Sequence, residues 1–272
     1  MIRNTFLGFW LLILSTEAFA IHPYKDYVAV PSQMGMGYDS LNIPTSDHFR
    51  LTGWYCKPIK DSSDILIILA GTDAGNMSYD LQVAQLLTQK FPVLLFDYRG
   101  FGSSQAFAYD PNAIGHPEYL TDLDAVVSYA QMKYPGKKIV IYGRSLGAAL
   151  ALVEGSMRTG IAGVIAESPY STQALLVKHY EDENSSKKIK PIESDSLEPL
   201  KNIQNFKAKH LLILHGKNEK HILTGEMADL IQRAPVANRK LTEFPGCDHL
   251  ELPFKATEQF GKVMGDFLAS CE

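Results

Sequence analysis

The sequence predicts an α/β fold, a mainly parallel sheet flanked by helices, and three observations carry that expectation. Continuous apolar runs occur at residues 65–69, 93–96, 139–142, 164–166 and 211–214. Strands covered by helices on both faces read this way, without the in–out alternation of a half-solvated sheet. Helical patterns lie between the runs: Tyr119, Leu123, Val126, Val127 and Ala130 share one helix face, as do Phe260, Val263, Met264 and Phe267. The chain has 272 residues, 46% of them hydrophobic. A chain of that size typically buries roughly three quarters of its unfolded surface. Strand–helix alternation over that length describes a layered domain with helices on both sides of the sheet.

The elements follow in order. Arg3 is the sole charged residue ahead of an apolar run at 6–14, and Ala18-Phe19-Ala20 closes the segment. A basic start, a short apolar stretch and a small-x-small ending describe a cleavable secretory signal. The run falls well short of the ~20 apolar residues that a membrane span requires. The expectation is a signal peptide at 1–20 and a single domain at 21–272. The mature chain is then exported, periplasmic or secreted, with no stable membrane span. The stretch to about residue 58 reads as an opening hairpin, with 50–55 its clearest strand. Residues 171–206 break the alternation, with the polar tract 181–188 and two prolines, Pro191 and Pro199. This segment reads as a solvated surface connection or as a short cap-like insertion, too small for a domain of its own.

Bulk charge excludes little but is informative. A net charge of −4 gives no reason to expect nucleic acid or an anionic membrane as partner. Oligomeric state is not legible. Cys56, Cys247 and Cys271 fit no zinc-ligand spacing, and three cysteines leave at least one thiol unpaired. Which pair, if any, bonds is left open. Asn76-Met77-Ser78 and Asn184-Ser185-Ser186 match the glycosylation acceptor pattern.

The chemistry centres on Gly143-Arg144-Ser145-Leu146-Gly147, a G-x-S-x-G motif between the apolar run at 139–142 and the helix-prone stretch 148–152. A bare match arises by chance about 0.1 times in a chain this long, given ordinary Gly and Ser frequencies. A strand before it and small residues opening a helix after it cut that chance sharply. In such an elbow the glycines permit a sharp turn, and Ser145 is held in a strained conformation with its hydroxyl exposed. The amide of Leu146, at the helix start, can face a developing oxyanion.

In an elbow of this kind the acid and then the histidine follow the serine. Of the later histidines, His249 lies in a loop between an expected last strand at 240–244 and the last helix, which makes it the candidate general base. His210 and His215 bracket an apolar strand and read as structural. The loop after that strand, His215-Gly216-Lys217-Asn218-Glu219, offers one carboxylate. Glu219 would fix the histidine tautomer and stabilise the imidazolium. Asp248 and Glu167 compete for that role. In the loop after the first buried strand, Gly71 permits close backbone approach and the amide of Thr72 is the candidate second oxyanion donor.

Taken together with Asp97-Tyr98-Arg99-Gly100-Phe101-Gly102, Glu167-Ser168-Pro169-Tyr170 and Gly246, these pieces make the chain resemble the α/β-hydrolase superfamily. The likeness is to its small, cap-poor serine hydrolases related to esterases and depalmitoylases, over about residues 37–270. The resemblance implies a serine hydrolase that cleaves a carboxylic ester or thioester of a small-molecule or acylated substrate, with no cofactor and no metal. It also implies that Asp97, Arg99, Gly100 and Gly102 are loop architecture. Two departures stand out: Ala70-Gly71 replaces the usual His-Gly, and the acid is Glu rather than Asp. A peptidase of the same fold and a catalytically silent binding protein are the alternatives.

Overall fold

The computed structural model describes residues 21, 23–60, 63–183 and 189–272. The expected leader at 1–20 and the acceptor Asn184-Ser185-Ser186 lie outside these residues. Among the described residues ten strands form: β1 (Tyr38–Pro44), β2 (Arg50–Cys56), β3 (Ile65–Ala70), β4 (Val93–Phe96), β5 (Ala113–Ile114), β6 (Lys138–Arg144), β7 (Ile161–Glu167), β8 (Lys190–Pro191), β9 (His210–Gly216) and β10 (Asn238–Phe244). The helices are α1 (Leu81–Leu87), α2 (Pro117–Lys133), α3 (Leu146–Met157), α4 (Gln173–Glu183), α5 (Pro199–Asn202), α6 (Thr224–Arg233), α7 (Leu252–Lys255) and α8 (Thr257–Cys271).

Eight strands make one sheet in the order β1-β2-β4-β3-β6-β7-β9-β10. β2 runs antiparallel to both its neighbours, and every pairing from β4 to β10 is parallel. The expected opening hairpin is therefore β1–β2. Successive residues of the inner strands feed opposite cores. Leu66, Ile68, Ile139 and Ile141 pack with Leu123, Val126 and Leu150 on one side. Ile65, Ile67, Val140 and Tyr142 pack with Leu81, Phe260 and Met264 on the other. With both faces covered, neither set of alternate positions can be polar, which is why these strands read as unbroken apolar runs. The five apolar runs locate β3, β4, β6, β7 and β9 and miss only strand ends, where polar residues such as Lys138 and His210 still pair; the short pair β5 and β8 was not foreseen.

The insertion after β7 is only partly solvated. Leu197 and Ile203 are fully buried, and β8 pairs with β5. Among the described residues, no helix is long and apolar enough to cross a membrane. All three cysteines are buried and free. The Asn76 side chain is also buried, donating to the carbonyls of Tyr24 and Asp26 and accepting from the Ser78 amide at 3.1 Å. Its amide nitrogen is occupied by the fold, so the Asn76-Met77-Ser78 match is structural in the folded chain.

Candidate active site

The carboxyl ends of β3, β6, β7, β9 and β10 all deliver their loops to one edge of the sheet, where open parallel sheets bind ligands. At the end of β6, Ser145 adopts φ 53° and ψ −115°, a left-handed strain that costs about 1–3 kcal/mol and persists only where the surroundings enforce it. The enforcement is visible. A Cβ on Gly143 would fall 2.1 Å from the Gly147 carbonyl oxygen, and one on Gly147 would fall 2.1 Å from that of Ala70. The Ser145 amide donates to the Glu167 carbonyl at 2.9 Å.

His249 arrives from the β10–α7 loop, which leans on the end of β9. A side chain at 216 would collide with this loop, since a Cβ there would meet the Cys247 and Asp248 carbonyl oxygens at 2.6 and 2.7 Å. The His249 Nε2 lies 3.0 Å from Ser145 Oγ, and its Nδ1 lies 2.6 Å from Glu219 Oε1. Ser145, His249 and Glu219 are thus brought together in one hydrogen-bonded line. Burial pushes the His249 imidazolium pKa down, but the hydrogen bond and charge of Glu219 outweigh it, and the pKa ends above the ordinary histidine value.

The competing carboxylates are engaged elsewhere. Asp248 is exposed and accepts from the backbone amide of His249 at 2.8 Å. Glu167 is buried between Tyr142 and Arg144, with the Arg144 Nε at 2.9 Å. Glu219 is held by a group that sequence reasoning passed over: the fully buried Ser168 hydroxyl donates to its Oε2 at 2.7 Å. Ser168 also sits at positive φ, 51°, on the turn that leaves β7. His215 Nδ1 lies 3.5 Å from the same Oε2, and burial pushes the His215 pKa below its ordinary value despite the carboxylates nearby. His215 therefore stands as a neutral wall beside the acid. The Glu167-Ser168-Pro169-Tyr170 string signalled Ser168 without revealing its partner.

A cleft of about 610 Å³ opens over Ser145 and His249, within the ordinary size range of small-molecule sites. Leu146 lines it, as do Tyr170, Ile222, and Leu176 and Tyr180 of α4. The insertion therefore behaves as a short cap rather than as a surface connection alone. Tyr180 stacks on His221 with ring centroids 4.7 Å apart. Thr72 borders a separate, smaller cleft with Gly71 and Gly75, and it is the next residue, Asp73, that reaches the main one. The Thr72 Oγ1 accepts from the Ala74 amide at 3.1 Å, which braces the loop.

Asp97 accepts from the Tyr27 hydroxyl and the Met77 amide at 2.6 and 2.8 Å, and a Cβ on Gly102 would fall 2.0 Å from its Oδ2. Arg99 bridges Asp47 and Asp122. Both are scaffolding beside the site.

The serine aminopeptidase (S33) family model matches residues 60–189. A protein of Saccharomyces cerevisiae described as an uncharacterized membrane protein is 26% identical over 90% of this chain and 84% of its own. The α/β-hydrolase domain-containing protein WAV2 of Arabidopsis thaliana is 24% identical over 90% of this chain and 82% of its own. The solved structure of the Pyrococcus furiosus esterase Pf2001 superposes with a TM-score of 0.79 at 20% identity, covering 92% of this chain and 97% of that one. The chain is thus similar in sequence to α/β-hydrolase proteins, and it has the α/β-hydrolase fold of the solved esterase structure.

Proposed function

We propose that the protein is a serine hydrolase that cleaves a carboxylic ester or thioester through an acyl-enzyme on Ser145. The observation that carries this reading is the pair of contacts at His249, 3.0 Å to Ser145 Oγ and 2.6 Å to Glu219 Oε1. The Ser145 hydroxyl attacks the acyl carbon as His249 Nε2 takes its proton. Glu219 holds the other ring proton at Nδ1 and stabilises the imidazolium. The tetrahedral oxyanion is received by the amide of Leu146, at the positive end of the twelve-residue α3; the amide of Thr72 stays the candidate second donor, although this residue borders the neighbouring smaller cleft. His249 then returns the proton to the leaving group, and a water activated the same way releases the acid. Raising the His249 pKa makes it a stronger base for this task.

The test is reaction with a fluorophosphonate probe, which a strained, activated serine attacks. Wild-type protein is expected to label and Ser145→Ala to remain unlabelled. Absence of labelling from both, or equal labelling of both, would overturn the reading in favour of a silent binding protein. Amide cleavage is a second reading, favoured by the match to serine aminopeptidases. Parallel turnover of an acyl ester, an acyl thioester and an aminoacyl anilide separates the two, with the ester or thioester expected to be the faster substrate.

Export is part of the same proposal. Protein recovered outside the cytoplasm is expected to begin at Ile21 by N-terminal sequencing; a chain retaining Met1 and partitioning with membranes would refute cleavage. The relative from Saccharomyces cerevisiae, described as a membrane protein, makes the partitioning arm worth running.

A further inference from the structure

We infer that Arg144, the first variable residue of the G-x-S-x-G elbow, is a positioning residue that clamps the nucleophile, oxyanion and histidine loops into one register. The inference rests on the proposed serine-hydrolase reading and goes beyond it. Arg144 immediately precedes Ser145, yet its side chain runs away from the cleft and is buried at 4% exposure. Its guanidinium spends its donors in three directions. Nη1 meets Asp80, Nε donates to Glu167 Oε2 at 2.9 Å, and Nη2 donates to the Leu250 carbonyl at 3.2 Å.

Each partner controls a different part of the site. Asp80 lies against the loop after β3: a Cβ at Gly71 would sit 2.6 Å from Asp80 Oδ2, so this carboxylate packs on the backbone that leads into Thr72. Glu167 ends β7. Its carbonyl takes the Ser145 amide, and the next residue, Ser168, orients Glu219. Leu250 follows His249 and is held at φ 59°, a costly backbone for a branched side chain. The Arg144 bond to its carbonyl is a tertiary restraint on that strained turn.

A planar fork with five donors can serve three fixed acceptors at once, whereas an ammonium on a flexible stem cannot. Two buried carboxylates around one guanidinium also explain why a positive charge is needed there: removing it would strand them. Arg144→Lys is therefore the informative variant, because it keeps the charge and loses the fork. The control is Arg99→Lys, another buried arginine held by two carboxylates, Asp47 and Asp122, with no contact to the site.

The experiment measures three things on wild type, Arg144→Lys and Arg99→Lys: the rate of fluorophosphonate labelling together with kcat and KM on an acyl ester, the thermal midpoint, and the far-downfield proton resonance of the His249–Glu219 hydrogen bond. For Arg144→Lys we expect labelling rate and kcat to fall about 10- to 100-fold, the scale of a misplacement near 1 Å, with KM changed less than about threefold and the resonance shifted or lost. Arg99→Lys is expected to keep rate and resonance even where its midpoint falls as far. The proposal is overturned if Arg144→Lys labels at the wild-type rate with its resonance unmoved, or if both variants lose activity in step with stability. If wild type itself fails to label, the hydrolase reading fails, and the resonance alone decides the clamp.

Discussion

A single histidine concentrates the chemistry of this molecule. His249 is pulled toward the neutral form by burial and toward the charged form by Glu219, and Glu219 prevails. A general base must be neutral, so activity should rise with pH through this elevated pKa. In Glu219→Gln the carboxylate is gone and burial dominates, which lowers the histidine pKa. The acid limb of the kcat/KM profile should move to lower pH while its plateau drops by about 10²- to 10⁴-fold, as expected when the tautomer is no longer held. A limb that stays in place would show that Glu219 does not govern His249. The stability sign is consistent with this. A folded-state pKa above the unfolded one means that protonated His249 stabilises the fold. That contribution is complete below the ordinary histidine range and is lost as pH rises through the elevated value.

At the scale of elements, the elbow and the cap do different work. The β6–α3 turn tolerates only glycine at 147, where a methyl group would lie 2.1 and 2.5 Å from the carbonyl oxygens of Ala70 and Gly71. These are backbone atoms at and just past the end of the neighbouring strand β3, and they cannot swing aside. Gly147→Ala is expected to lower unfolding free energy by about 3 kcal/mol, measurable as a fall in the urea midpoint. A midpoint within error of wild type would mean that β3 and α3 can separate freely. The α4 cap instead shapes the cleft. Leu176 lies on its cleft-facing side, so Leu176→Trp should fill space near the acyl site. The expected outcome is a KM for long-chain esters raised about tenfold, with short-chain turnover nearly unchanged; equal effects on both would place the acyl chain elsewhere.

For the molecule as a whole, a second buried arginine ties the opening hairpin to the helical layer. Arg99 donates to Asp47 at 2.6 Å in the β1–β2 turn and to Asp122 at 2.7 Å in α2, while its guanidinium lies 4.2 Å from the centroid of the Phe49 ring. Its hydrogen bonds hold the Asp47 carboxyl at about 2 despite the opposing push of burial. Burial of Asp122 prevails over the same arginine and lifts that carboxyl to about 6. Removing the guanidinium strands Asp122 in the core. Arg99→Ala should therefore cost about 3–5 kcal/mol, read by chemical denaturation. A loss below about 1 kcal/mol would mean that the turn and α2 dock without it.

The layered architecture was legible in the chain because its signal is local. Strands buried on both faces are apolar through their middles, and an elbow needs glycine on either side of its serine. The same local logic selected Ser145, Leu146, Glu219 and His249, since chain order and loop placement follow from strand order. Other features required the packed molecule. Nothing in the string Glu167-Ser168-Pro169-Tyr170 says that the Ser168 hydroxyl would reach a carboxylate 51 residues later, and nothing in the elbow says that Arg144 would reach Leu250. The loop after β3 depended on tertiary context too: Asp73 lines the main cleft, whereas Thr72 borders the smaller one beside it. Periodicity reports which face of an element is dry. Which polar groups meet across that dry interior depends on distances between segments far apart in the chain, and those exist only once the sheet has assembled.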